Sequence, residues 1–96
     1  MTYKLEFIVE ALKEWKALDA TIQKQFKKKL AERLQAPEVP AARLLGSTNR
    51  YKIKLRSAGF RLVYEVYQQE VLVLVVAVGK RERNNVYKAA AKRELE

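Results

Sequence analysis

The stretch VLVLVVAV, residues 71–78, is apolar at every position. A β-strand points successive side chains to opposite faces, so a run like this needs cover on both. It reads as a strand in the interior of a sheet, with other layers on either side. At eight residues it is far short of the ~20 that span a bilayer. The rest of the chain must therefore supply the cover.

The segments before it do so with two different periods. YKIKLR (51–56) sets Tyr51, Ile53 and Leu55 on one face and Lys52, Lys54 and Arg56 on the other. SAG (57–59) reads as a hairpin loop, with Gly59 available for a positive φ. FRLVYEVY (60–67) returns with Leu62, Tyr64 and Val66 opposed to Arg61, Val63 and Glu65, and QQE turns again. Near the N-terminus, TYKLEF alternates as a half-buried strand with Tyr3, Leu5 and Phe7 on one side. From Val9 the spacing becomes helical, through Ala11, Leu12, Trp15 and Leu18, up to Asp19. Asp19 or Thr21 then caps a second helix, whose Ile22, Phe26, Leu30 and Leu34 form one apolar stripe. Lys24, Lys27, Lys28 and Arg33 point elsewhere, and the prolines of QAPEVPAA end the helix. NNVYKAAAKREL closes the chain as a short alanine-rich helix capped by Asn84 or Asn85. The order is β-α-α-β-β-β-α, an α+β fold: an antiparallel sheet packed against helices, as one domain over residues 1–96.

With 96 residues, 49% of them hydrophobic, the chain has material for one core. It contains no cysteine and no histidine, so disulfides and thiolate metal sites are excluded and the usual acid–base residue is missing. The N-terminus has no signal-peptide apolar core, which points to a cytoplasmic protein without a membrane segment. The formal charge is +9, with ten cations against six anions in residues 1–50 and ten against five in residues 51–96. The excess belongs to the folded body and favours a polyanionic partner, nucleic acid above all.

Within that excess one group stands out. No carboxylate lies between Arg50 and Arg61, so nothing in the segment neutralises Arg50, Lys52, Lys54, Arg56 and Arg61. If the central strand lies beside the hairpin, its exit at Arg81 joins the same face. By contrast, Trp15 and the inward tyrosines Tyr3, Tyr51 and Tyr64 read as packing, and Lys27–Lys29 as a solvated helix face. The eleven acids are scattered and no glycine-rich phosphate loop exists, so neither metal nor cofactor is expected. Chemistry must come from Lys, Arg and Tyr. RNA cleavage fits that set, because the substrate's own 2′-hydroxyl is the nucleophile. A lysine crowded by cations serves as base, arginines hold phosphate oxygens, and a tyrosine stacks on a base.

YKIKLRSAGFRLVYEV (51–66) with VVAVGKRERNNVY (75–87) resembles the RelE toxins of bacterial toxin–antitoxin systems, within the wider RelE/ParE superfamily. ALKEWKALD and QFKKKL extend the likeness over nearly the whole chain. The resemblance implies a small microbial-ribonuclease-like fold and a metal-independent endoribonuclease that cleaves mRNA in the ribosomal A site. It implies Lys52 and Lys54 as the strand lysines, with Lys54 the general base, and Arg61 as the arginine that stabilises the transition-state phosphate. Arg81 would stabilise or protonate the leaving group, and Tyr87 would orient the substrate by stacking. Phe60 stands where relatives also carry a tyrosine. The implied partners are a RelB-like cognate antitoxin and the translating ribosome, with operator DNA reached only through the antitoxin. Two other readings remain: a ParE-like inhibitor of DNA gyrase and a basic nucleic-acid-binding module. The set Lys52, Lys54, Arg61 and Arg81 separates the first from a nuclease.

Overall fold

The computed structural model describes residues 2–82 and 85–93. Its elements run β1 (Lys4–Phe7), α1 (Val9–Ala17), α2 (Ala20–Gln35), a 3-10 turn (Pro40–Ala42), β2 (Arg50–Leu55), β3 (Phe60–Tyr67), β4 (Leu72–Lys80) and α3 (Asn85–Lys92). The four strands form one sheet in the order β1-β4-β3-β2. β2, β3 and β4 are antiparallel neighbours, as expected, whereas β1 joins the far edge parallel to β4. The sheet is therefore mixed. Two consecutive helices carry the chain across between β1 and β2, so the direction of β1 is set by that long connection, not by a hairpin.

The apolar run lies inside the sheet as its composition demands. Val73, Val75 and Val78 face a core built with Ala11 of α1, Ile22, Phe26 and Leu30 of α2, and Tyr51, Ile53, Leu62 and Tyr64 of the neighbouring strands. Val76 and Ala77 face the opposite side, against Val63 and against Val86 and Ala90 of α3. Helices α1 and α2 thus cover one face and α3 part of the other. β4 starts one residue later than the apolar run, because Val71 closes the turn in the left-handed region (φ 53), a rare conformation for a β-branched residue.

Asp19 caps α2, its Oδ1 accepting the Ile22 N–H at 3.0 Å. Trp15 is half-buried between Phe7 (ring centroids 5.3 Å apart) and Phe26 (6.1 Å), a packing role. β1 is more exposed than a half-buried strand: Leu5 is open, while Tyr3 and Phe7 pack on the core margin. Lys27, Lys28 and Lys29 are all exposed. Asn85 is the first residue of α3, and the alternative cap, Asn84, lies outside the described residues.

One irregularity decides what the site looks like. Val63 pairs with Ala77, but Tyr64 pairs with Val75, leaving Val76 as an extra residue in β4. Such a bulge reverses the alternation of everything after it. Before the bulge odd-numbered residues face α1 and α2; after it they face α3.

Candidate active site

The hairpin register sets Lys54 directly opposite Arg61, Lys52 opposite Val63 and Arg50 opposite Glu65, so all six side chains share one face of the sheet. Beyond Arg61 the next partner is Gly79. Because of the bulge, the α3 face continues from Ala77 and Gly79 to Arg81, which would otherwise face the helical core. The Arg81 N–H is tied to the hairpin through the Gly59 carbonyl at 2.6 Å. Gly59 itself has φ +73, the positive value foreseen for the loop.

α3 approaches this face closely. A Cβ at Gly79 would lie 3.2 Å from Val86 Cγ2, so glycine lets the helix settle onto β4. The helix covers Val63, Val76 and Ala77 and leaves the strip of cations open at its margin. Tyr87, half-buried on α3, borders that strip. Lys54, Arg61, Arg81 and Tyr87 line a cleft of about 160 Å³ together with Lys80 and Asn85. On the other side of Tyr87 a wider groove of about 700 Å³ runs past Lys52 to the loop at residues 44–49. The structure thus brings Lys52, Lys54, Arg61, Arg81 and Tyr87 around two adjoining depressions.

The electrostatics of the strip are unbalanced. Among the described residues the ion pairs are Arg50–Glu65 and Arg93–Glu14, so Lys52, Lys54, Arg61 and Arg81 have no carboxylate partner. Like charges directly opposite on paired strands are unfavourable, yet Lys54 and Arg61 occupy that relation. Lys52, partial desolvation and then Arg61, Arg56 and Arg81 push the Lys54 ammonium below the ordinary lysine range. Arg61 is buried at 9% exposure, and its guanidinium makes one long contact, 3.4 Å, to the Phe60 carbonyl. The Tyr87 hydroxyl is enclosed without a hydrogen-bond partner among the described residues. A polyanion entering here would meet fixed cations, a lysine primed to lose its proton and an aromatic with an unspent donor.

A family model described as the ParE toxin of the type II toxin–antitoxin system, parDE, matches residues 5–85. The mRNA interferase toxin RelE of Escherichia coli (strain K12) is 53% identical over 99% of this chain and 100% of its own length. The chain belongs to the RelE/ParE toxin family. An mRNA interferase RelE from Shigella flexneri is equally similar. Among solved structures, a doubly substituted E. coli RelE in the free state superposes with a TM-score of 0.90 at 50% identity, covering 99% of this chain and all of the other. The RelE of the intact E. coli RelBE toxin–antitoxin complex does so at 0.81 and 52% identity, covering 84% of this chain and 99% of that one.

In this RelE/ParE-type chain one sequence expectation needs correction. Arg50 is not a free member of the cation group: its Nε donates to Glu65 Oε2 at 2.7 Å, and the pair is buried. Arg33, which leaves the apolar stripe of α2, turns towards the sheet. Its Nη1 donates to the Lys52 carbonyl at 3.1 Å and to the Tyr64 hydroxyl at 2.9 Å, fixing β2 against α2 next to Lys52. Lys80 and Asn85 also line the cleft, although the sequence pattern marks Asn85 only as a helix cap and assigns Lys80 no role. Phe60, half-buried against the core, leaves the cation strip untouched.

Proposed function

We propose that this chain is the toxin of a type II toxin–antitoxin pair and acts as a ribosome-dependent endoribonuclease, cutting mRNA in the A site and so inhibiting translation. The observation that carries this reading is the direct cross-strand pairing of Lys54 with Arg61 beside Arg81, without a compensating carboxylate among the described residues. Such an arrangement stores repulsion that a phosphate relieves. Full-length identity of 53% to mRNA interferases supports it over gyrase inhibition.

In the proposed reaction the Lys54 amine takes the proton of the 2′-hydroxyl. The 2′-oxygen forms a bond to the adjacent phosphorus, the bond to the 5′-oxygen breaks, and a cyclic phosphate and a 5′-hydroxyl result. Lys52 keeps the Lys54 pKa low. Arg61 donates to the phosphate oxygens as charge builds on them. Arg81 stabilises the leaving 5′-oxygen, which takes up a proton from solvent, and the Lys54 ammonium returns its proton to solvent to complete the cycle. Tyr87 stacks on a base and holds the attacking and leaving oxygens in line. Lys, Arg and Tyr suffice for these steps, so no metal or cofactor is invoked.

The partners of this reading are the ribosome, whose rRNA phosphates suit a +9 body, and a RelB-like antitoxin. Its place of action is the cytoplasm; among the described residues no helix is long and apolar enough to cross a membrane. Primer extension on translating ribosomes tests the reading. We expect breaks within the A-site codon and none in the same RNA free in solution. Intact message on ribosomes that demonstrably bind the protein would leave a binding module or a gyrase inhibitor in its place.

A further inference from the structure

The two ion pairs found among the described residues converge on one place, the C-terminal end of α3, and the chemistry above uses neither. Arg50 reaches there from the start of β2. Its Nη1 donates to the Ala90 carbonyl at 2.5 Å and its Nη2 to the Arg93 carbonyl at 3.3 Å, while Nε is held by Glu65. Glu65 is fixed in turn by the Tyr67 hydroxyl, which donates to Oε1 at 2.5 Å. One guanidinium therefore caps the last turn of the helix, where unpaired carbonyls concentrate partial negative charge.

Arg93 anchors the same end from the other side. Its Nη1 and Nη2 grip the Glu14 carboxylate at 2.9 and 3.1 Å, and Nη1 also donates to the Val76 carbonyl at 3.0 Å. Glu14 Oε1 accepts the Val78 N–H at 3.1 Å. The last paired residue of β4 on that edge is Val75, opposite Phe7. The Glu14–Arg93 pair thus supplies the acceptor and donor that a longer β1 would have offered to Val78 and Val76, and Val76 is the bulged residue.

We propose that Arg93–Glu14 and Arg50–Glu65 form a latch that docks α3 and thereby positions Tyr87 for cleavage. All four are positioning residues, acting through Tyr87 without touching substrate. The inference rests on the place given to Tyr87 in the proposed site. A helix of eight residues is too short to hold its shape by propensity, and its buried apolar contacts are Val86 and Ala90. Tyr87 lies one turn from Ala90, so a free C-terminal turn moves the ring. Displacing a positioning group by about 1 Å can cost on the order of 10²-fold in rate.

The test is a double-mutant cycle on ribosome-bound message. Arg93→Ala is chosen because its pair is the more exposed of the two, so the fold tolerates its loss better. Glu14→Gln, which keeps an acceptor for Val78, serves as the second variant. We expect Arg93→Ala to slow single-turnover cleavage by about tenfold or more without lowering the amplitude, since a failing fold reduces amplitude and a misplaced ring reduces rate. Arg93→Lys should recover part of the loss. In a Tyr87→Ala background Arg93→Ala should cost nothing further, and amide exchange should quicken in α3 but not in β3. A wild-type rate for Arg93→Ala and Glu14→Gln, or a loss fully additive with Tyr87→Ala, overturns the latch and leaves the site standing. A wild-type rate for Tyr87→Ala itself overturns the assignment of Tyr87 and the latch with it.

Discussion

Lys54 and Arg61 face each other across two paired strands, and each makes a separate prediction from that relation. Replacing Arg61 with alanine removes one of several mutually repelling cations that have no ion pair among the described residues. Arg61→Ala should therefore slow single-turnover cleavage by roughly 10²–10³-fold while the melting temperature stays at or above that of the parent. Arg81→Ala, at an exposed position, should match it in rate loss with unchanged stability. An unimpaired rate in either variant would remove that arginine from the mechanism. In the proposed mechanism Lys54 acts as its neutral amine, and its pKa is depressed chiefly by Lys52, so the rate should climb with pH and level off before an isolated lysine would titrate. The sign for stability is the same. The unfolded chain still holds that proton up to its ordinary 10.5, so the fold gains stability as pH rises through the lowered pKa. Lys54→Arg should be slow and flat with pH; equal cleavage would reduce Lys54 to a point charge. At this scale the sequence showed the cations but not their pairing. Extending the register of the 55–60 hairpin back by five residues puts Glu65 opposite Arg50, so that ion pair was within reach of the sequence. The inward turn of Arg33 was not, because it depends on how α2 lies across β2.

Among the elements, the bulge in β4 was the least legible. A run apolar on both parities carries no mark of where its alternation reverses, and strict alternation would have sent Arg81 into the helical core. The terminal helix shows the opposite situation. Its eight residues and three alanines suggest a weakly held segment, and its polar anchors come from positions far away in sequence, at Glu14 and Arg50. That combination makes α3 a candidate for displacement by an antitoxin: few apolar contacts to break, and polar contacts that acidic side chains can compete for. An amphipathic antitoxin segment with acidic residues would bind the basic face, take the place of α3 and carry Tyr87 away from Lys54 and Arg61. Hydrogen exchange over residues 85–93, with and without antitoxin, checks this; protection there should fall on binding. Equal protection in both states would mean that inhibition works by blocking ribosome entry alone.

For the molecule as a whole, the excess of cations over anions predicts strong dependence on ionic strength. Affinity for ribosomes should fall steeply between about 50 and 200 mM salt, linearly on a log–log plot. The single-turnover rate on preformed complexes should change much less. A flat affinity would mean that the charge excess does not contact phosphates. The element order, the hairpin and the core stripe of α2 were legible because each is a local pattern. The parallel pairing of β1 was not, since its partner lies some seventy positions along the chain and no local spacing reports it. That pairing has a consequence for how the protein is made. A nascent chain delivers β1 first, and that strand waits without a partner until β4 emerges. Arg81, Tyr87 and Arg93 follow β4 in the sequence. The ribosome that makes this protein therefore extrudes a chain whose proposed cutting surface closes only after every strand of the sheet has emerged.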